Sequence, residues 1–365
     1  MSQLLSPVTL RTLELKNRVV LAPLTRARAG PSRIPNDLMR TYYEQRANAG
    51  LIIGEAVGIS VQGHGWFGAP ALYTEEQAKG WREITDTVHT KGAKIFSQLL
   101  HMGRQGHPSF NPANEVVAPS VPGDVFTRDV DSERVPYVVP RALQTSEIPG
   151  IVQDYQHAAK MAKLAGFDGV EIHGANGYLL DELLQSVTNQ RTDVYGGSVE
   201  NRYRLLKEVI EAVGQVFPYD RIGVRISPNG VFGGMGSADN YETFTYVASQ
   251  LSRYGLAYLH VMDGLGFGFH NKGKAVTLFD AKVHFQGPVM GNIDYTKEIA
   301  EGAIRSGAAD LIAFGRSYMT NPDLVERFTN NWPLAGPPPY EVWYGGDAKG
   351  YTDYPTYTPA PVANE

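Results

Sequence analysis

The chain has 365 residues, 42% of them hydrophobic, and its 33 Lys+Arg against 38 Asp+Glu give a formal net charge of −5. This composition supplies a sizeable core, excludes global disorder, and lacks the basic cluster with which a nucleic-acid binder neutralises phosphates. With no cysteine, disulfides, thiolate chemistry, Cys–zinc sites and iron–sulfur clusters are excluded.

The N-terminal segment shows no charged stretch followed by an apolar run, so no signal peptide is expected. Short apolar runs predict strands at 18–22, 51–55, 94–99, 169–173, 222–227, 258–261, 288–291 and 311–314. The run at 51–61 is the longest and is broken by Gly54, Glu55 and Gly58, so no membrane span is expected either. Between strands lie amphipathic stretches: Ala78, Trp81, Ile84 and Val88 share one helical face after a Thr74/Gln77 capping box. Leu206, Val209, Ile210 and Val213, then Phe244, Val247, Ala248 and Leu251, repeat the pattern. Glycines at 50, 92, 166, 255 and 307 stand where a left-handed residue would close each helix before the next strand. Eight strands alternating with helices predict an α/β fold, one (β/α)8 TIM-barrel domain over 1–365. A Pro-rich insertion at 102–141, containing a hairpin, is expected over the active-site mouth, and an irregular tail at 332–365. The Gly63-His-Gly65-Trp-Phe-Gly68 run mimics a dinucleotide fingerprint, but Pro70 follows where a helix is required.

Barrel enzymes carry their chemistry at the C-terminal ends of the strands. Those ends hold Pro23 and Thr25, Glu55 and Ala56, Gln98 and His101, His173, Asn176 and Tyr178, Arg225 and Ser227, Gly291 and Asn292, and Gly315 and Arg316. Glu55 and Glu171 are the acids a barrel glycoside hydrolase would use, although Glu171 is expected to be a buried structural partner. His101 and His107 have no metal-ligand spacing, so no metal is expected. Gly291, Asn292, Gly315 and Arg316 suit a phosphate, and Gln98, Thr25 and Arg225 suit the polar edge of a flavin, with Arg225 near N1. Each also has an ordinary reading, as a strand end, a buried amide, a loop cap or a salt bridge. His173 and Asn176 can converge on a carbonyl oxygen, and Tyr178 can deliver a proton.

The stretches at 17–26, 50–56, 98–104, 223–228, 313–318 and 350–355, and above all Thr-Asn-Gln-Arg-Thr-Asp-Val-Tyr-Gly-Gly-Ser-Val-Glu-Asn-Arg at 188–202, carry a likeness over nearly the whole chain. The sequence resembles the Old Yellow Enzyme family of FMN-dependent ene-reductases, in its bacterial branch. The resemblance implies a cytoplasmic enzyme, monomer or homodimer, that uses NADPH and non-covalent FMN to reduce activated C=C bonds of small alkenes: enones, enals and nitro-olefins. It places Pro23, Thr25, Ala56, Gln98 and Arg225 on the flavin ring, and Gly291, Asn292, Gly315 and Arg316 at its phosphate. It also implies that His173 and Asn176 bind the substrate oxygen, that Tyr178 is the proton donor, and that Phe232 and Tyr344 contact substrate. Leu100 stands where a tryptophan is common, implying a wider pocket, and Trp66 where a tyrosine is common, partly refilling it. The readings outside this resemblance are the glycoside hydrolase above and a non-catalytic flavin-binding protein.

Because the chain offers no cysteine for a thioether link, acid precipitation of the yellow protein should leave all the colour in the supernatant. Colour held in the pellet would contradict non-covalent FMN.

Overall fold

Continuous apolar strands need cover on both faces, and closing the sheet on itself inside a ring of helices provides it. The computed structural model describes residues 2–120, 126–128, 134–136, 138–266 and 268–359. Its parallel strands are β1 (Val19–Leu21), β2 (Leu51–Ile53), β3 (Lys94–Leu100), β4 (Gly169–Gly174), β5 (Ile222–Ile226), β6 (Tyr258–Met262), β7 (Val289–Asn292) and β8 (Leu311–Phe314). Neighbours pair in sequence, β3 pairs with β4, and β8 pairs with β1, so the barrel closes. Every residue of β1, β2 and β4 to β8 is buried.

Around them run α1 (Asp37–Gln45), α2 (Glu75–Thr90), α3 (Ile148–Leu164), α4 (Leu179–Leu184) and α5 (Val199–Val213). The ring continues with α6 (Asn240–Leu251), α7 (Leu278–Phe285), α8 (Lys297–Arg305), α9 (Arg316–Thr320) and α10 (Leu324–Asn330). The Thr74 capping box starts α2, whose Ala78, Trp81, Ile84 and Val88 are all buried. Gly92, Gly166, Gly255 and Gly307 take positive φ as expected, between 67° and 79°. Gly50 does not. It is required instead for close approach, since a Cβ there would lie 2.0 Å from the Asn17 carbonyl oxygen.

Strand β2 ends two residues earlier than predicted. The chain turns through Gly54, Glu55 and Ala56, then Val57–Gly58 resumes parallel pairing beside Leu99 and Leu100. An antiparallel hairpin, Val8–Leu10 with Leu13–Leu15, was not anticipated; its Leu10, Leu13 and Leu15 pack on Val20, Leu51, Phe96 and Met290 and join the core. In the insertion, Phe126–Arg128 pairs antiparallel with Arg134–Pro136, giving the expected hairpin. The stretches 121–125, 129–133 and 360–365, with Pro122, lie outside the described residues. The Gly63–Gly68 run is a loop, and its glycines serve packing: a Cβ on Gly65 would lie 2.8 Å from the Gly106 Cα, and on Gly68 2.6 Å from the Ala27 oxygen.

The motif at 188–202 is a brace. Asn189 donates to the Leu183 and Tyr195 oxygens at 2.7 Å each, Arg191 grips Asp193 at 2.5 Å and donates to the Pro119 oxygen at 3.2 Å, and Arg202 reaches Asp239 at 2.7 Å. It joins the α4 region to the insertion and to the start of α6.

Strand β4 approaches β5 closely through Gly169, where a Cβ would meet the Arg221 oxygen at 2.3 Å and the Phe96 ring at 2.4 Å. Gly169→Ala should therefore cost about 1–3 kcal/mol of unfolding free energy, read from the urea midpoint. An unchanged midpoint would show that the barrel yields at this contact.

Candidate active site

At the C-terminal ends of the strands the barrel opens into a cavity of about 290 Å³. Its wall includes the predicted Pro23, Thr25, Trp66, Asn176, Tyr178, Arg225, Phe232, Asn292, Gly315, Arg316 and Tyr344. Gln98, Gly291 and His173 do not line it, and Ala56 and Leu100 border a separate hollow. Met262, another strand end, also lines the cavity, as do Ile293, Asp294 and Trp343, which sequence reasoning missed.

The floor is a buried polar layer drawn from successive strands. Gln98 on β3 donates from Nε2 to Glu171 Oε1 at 2.7 Å, and His260 Nδ1 on β6 lies 2.8 Å from Glu171 Oε2. Arg225 on β5 donates from Nη2 to Asn292 Oδ1 at 2.7 Å, and Asn292 Nδ2 donates to the Ala313 oxygen at 2.8 Å. Burial opposes ionisation of Glu171, yet His260, Arg225 and Gln98 outweigh it and hold the carboxyl below its usual range. Burial, with Arg225 working against Glu171, keeps His260 neutral, so its Nδ1–H must donate. Burial also lowers Arg225, but Glu171 opposes it and a guanidinium does not deprotonate.

The turn after β4 aims the next groups. Asn176 and Gly177 both take left-handed φ, +59° and +70°, a conformation that Asn tolerates and Gly adopts freely. It brings the His173 and Tyr178 rings to 5.2 Å. Burial, then Arg225 and His260, push His173 well below the usual histidine range, so it is neutral; its Nδ1 is buried without a protein partner. Burial, then Tyr344, raise the Tyr178 phenol above its ordinary value, so it keeps its proton.

Leu100 lies off the main cavity. With Ala56, Met102, Trp66 and Tyr178 it surrounds a hollow of only about 10 Å³, about the room one water needs. Trp66 instead leans toward Tyr344, ring centroids 5.3 Å apart. Gly291 admits Tyr295, whose hydroxyl a Cβ would meet at 2.7 Å. Arg316 lies 3.5 Å from Asp294 as well as on the cavity wall. Ile293 has φ of +86°, a strained value for a β-branched side chain that no sequence signal announces.

Both candidate hydrolytic acids are engaged. Glu171 serves the floor, and Glu55 Oε2 accepts the Arg26 and Ala27 N–H groups at 3.1 Å each. His101 accepts the Gly103 N–H and His107 the Ser109 N–H, so both histidines cap turns.

The sequence model of the NADH:flavin oxidoreductase / NADH oxidase family matches residues 3–335. The chain belongs to this family. It falls within the Old Yellow Enzyme group of FMN-dependent ene-reductases. A probable flavin mononucleotide-dependent alkene reductase of Leishmania infantum is 40% identical over 361 residues, 96% of this chain and 97% of its own. A 12-oxophytodienoate reductase 1 of Oryza sativa subsp. japonica is 40% identical over 355 residues, covering 96% and 92%. The old yellow enzyme homologue from Zymomonas mobilis superposes with a TM-score of 0.93 at 42% identity, covering 97% of this chain and 100% of its own. Morphinone reductase does so with 0.91 at 40%, covering 98% and 96%. Like these Old Yellow Enzyme relatives, the chain is a TIM barrel, and no described helix is long and apolar enough to cross a membrane.

One feature of this family member's cavity is its C-terminal roof. Arg26 and Arg28 grip the same two carbonyls, Trp343 O at 2.9 and 3.1 Å and Val342 O at 3.2 and 3.0 Å, and Arg26 also reaches Gly350 O at 2.9 Å. This clamp sets Tyr344 over the cavity. Arg26→Met should cost about 1.5–3 kcal/mol, as expected for charged hydrogen bonds, and hydrogen exchange should rise first over 340–352. Uniform protection across the tail would show that Arg28 alone suffices.

Proposed function

We propose that the chain is an NADPH-dependent ene-reductase that adds hydride and proton across activated C=C bonds of enones, enals and nitro-olefins. The observation that carries this reading is one cavity joining a buried guanidinium, the Asn176 amide and a protonated phenol, with neutral His173 beside that phenol and the nearby buried carboxylates committed elsewhere. FMN fits it: Arg225 Nε and His173 Nδ1 are buried polar atoms with no protein partner, as a ring edge and a substrate oxygen would require.

Pro23, Thr25, Ala56, Gln98 and Arg225 would hold the ring, with Thr25 at O4, and Gly291, Asn292, Gly315 and Arg316 the phosphate. Bound there, FMN supplies hydride transfer between a reduced nicotinamide and the alkene. Arg225 puts a fixed positive charge against the ring. His173, being neutral, donates from one nitrogen, and Asn176 donates from its amide, so together they stabilise negative charge on the substrate oxygen. Tyr178 holds a proton across the physiological range and gives it to the α-carbon. Phe232, Trp66 and Tyr344 flank the substrate and exclude water. NADPH is preferred on the resemblance, whereas the family description names NADH; bleaching the holoenzyme anaerobically with each in turn decides between them. A colourless protein would favour the hydrolase, and a yellow one that neither bleaches would favour a flavin carrier.

Tyr178→Phe separates the two half-reactions. Bleaching by NADPH needs no acid and should stay within a few-fold of the parent, while enone-driven reoxidation should slow by roughly 10²–10⁴-fold. A nitro-olefin should suffer less, because its nitronate is a stable anion that solvent protonates later. Stopped-flow absorbance in each direction is the measurement, and enone reoxidation at the parental rate would remove Tyr178 from the proton-donor role.

A further inference from the structure

The turn that carries Asn176 and Tyr178 has two consecutive left-handed residues and no strand or helix of its own to fix it. Its backbone bonds go to a fully buried cluster behind the cavity wall. Asp181 on α4 accepts the Gly177 N–H at 2.8 Å and the Ser227 hydroxyl at 3.3 Å on the same oxygen, Oδ2. Ser227 Oγ in turn accepts the Asn176 N–H at 2.8 Å. The other oxygen, Oδ1, accepts Gln185 Nε2 at 2.8 Å, and Gln185 Oε1 accepts the Gly236 N–H at 2.8 Å. Gly236 ends the loop that bears Phe232, in which Gly233, Gly234 and Gly236 all have positive φ. From the remaining side, Gln105 Nε2 donates to the Asn176 oxygen at 2.5 Å.

We infer that the Asp181 carboxylate is a positioning residue: by accepting from Gly177, Ser227 and Gln185 it locks the Asn176–Tyr178 turn and the Phe232 loop into one substrate-binding arrangement. The ionised form accepts all three contacts with its full negative charge; protonation removes that charge and a lone pair from one oxygen, weakens the carboxyl as an acceptor throughout, and puts an O–H opposite the Gln185 amide or the Ser227 hydroxyl. Substrate binding therefore depends on the charge state of a residue that touches neither substrate nor cofactor. This rests on the ene-reductase reading for the identity of the substrate, and on the hydrogen-bond geometry for the role of Asp181.

The surroundings set where the switch falls. Burial raises the Asp181 carboxyl, against the opposing pull of Gly177, Gln185, Ser227 and Arg104, to about 6. The charged groups facing it are Arg104, from the turn after β3, and its neighbour Glu182 on α4, which burial raises to about 8 and so keeps neutral in the same range. The carboxyl titrates higher in the folded chain than its ordinary value of 3.8. Falling pH through this window thus favours the folded state as far as Asp181 is concerned. Loss of binding without loss of stability is its signature, and acid unfolding would give both together.

The experiment is a titration of the FMN-loaded protein with 2-cyclohexenone between pH 5 and 8, following the perturbation of flavin absorbance, with the melting temperature recorded alongside. Affinity should be level near pH 8 and about 10-fold weaker at pH 5, where roughly one carboxyl in ten is ionised. Asp181→Asn presents one acceptor oxygen where two are used, so its affinity should be weak and flat across the range. Ser227→Ala removes only the Asn176 arm, and should weaken binding yet keep the slope; it carries the test should Asp181→Asn fail to fold. Asp263, raised by burial to about 6 beside Asn292 and Tyr295, and Glu182, raised to about 8, are further carboxyls that could give a slope there; Asp263→Asn and Glu182→Gln should both keep the fall toward pH 5. A wild-type profile that is flat, or a slope that survives in Asp181→Asn or disappears in Asp263→Asn or Glu182→Gln, overturns the role of Asp181. A wild-type protein that holds no flavin, or that binds no enone at any pH, overturns the ene-reductase reading instead.

Discussion

The site depends on how one buried cation is neutralised. Arg225 sits on a barrel strand, almost fully buried, and a guanidinium taken out of water needs an opposite charge nearby. Glu171 on the adjacent strand provides it, but its own oxygens are occupied by Gln98 and neutral His260. The carboxylate thus compensates Arg225 through space without covering it. Arg225 spends one nitrogen on Asn292 and keeps Nε unpartnered, which leaves its charge facing the cavity. Were Glu171 bonded directly to Arg225, the same residues would make a closed ion pair with nothing to offer a ligand.

Above this layer, the walls are held by carboxylates and arginines that act on backbone rather than on substrate. Glu55 fastens the loop after β1 by its amides, and Arg26 and Arg28 on that loop fasten the C-terminal roof by its carbonyls. Tyr351 extends the same fastening, stacked on Tyr42 at 4.2 Å. The roof, the first loop and α1 are therefore one mechanical unit, and a residue on the roof such as Tyr344 is placed by chemistry some distance from the cavity.

The barrel was legible because parallel strands buried on both faces leave continuous apolar runs, and because four helix-closing glycines stand where left-handed φ is required. Gly50 looked the same in sequence and differs in cause, since crowding against Asn17 is invisible until the strands pack. The Val8–Leu15 hairpin escaped notice because its strands are too short to show a period. Site residues on strand ends, such as Arg225 and Asn292, could be read from their position alone. Ile293 could not, because its positive φ contradicts its type, and the pairing of Ser227 with Asp181 could not, because 46 residues separate two partners that meet only in the fold. The company Leu100 keeps could not be read either, since Ala56, Trp66 and Tyr178 reach it from distant parts of the chain.

The distribution of charge also separates the rival chemistries. Hydrolysis of a glycosidic bond needs two carboxyl groups facing it across a gap. Glu55, Glu171, Asp181 and Asp263 each accept from named protein donors and point away from such a task. Among the residues lining the cavity the acid is Asp294, and it lies beside Arg316, while Arg26, Arg225 and Arg316 line the same wall. Apart from the Asp294–Arg316 pair, what the protein turns toward the cavity is the Arg225 charge and hydrogen-bond donors, with Glu55, Glu171, Asp181 and Asp263 set behind them as supports. Such a wall lowers the energy of a ligand that gains negative charge during reaction, and gives nothing to a reaction that must generate a cation. Hydride addition to an electron-poor alkene is of the first kind, and an oxocarbenium-forming hydrolysis is of the second.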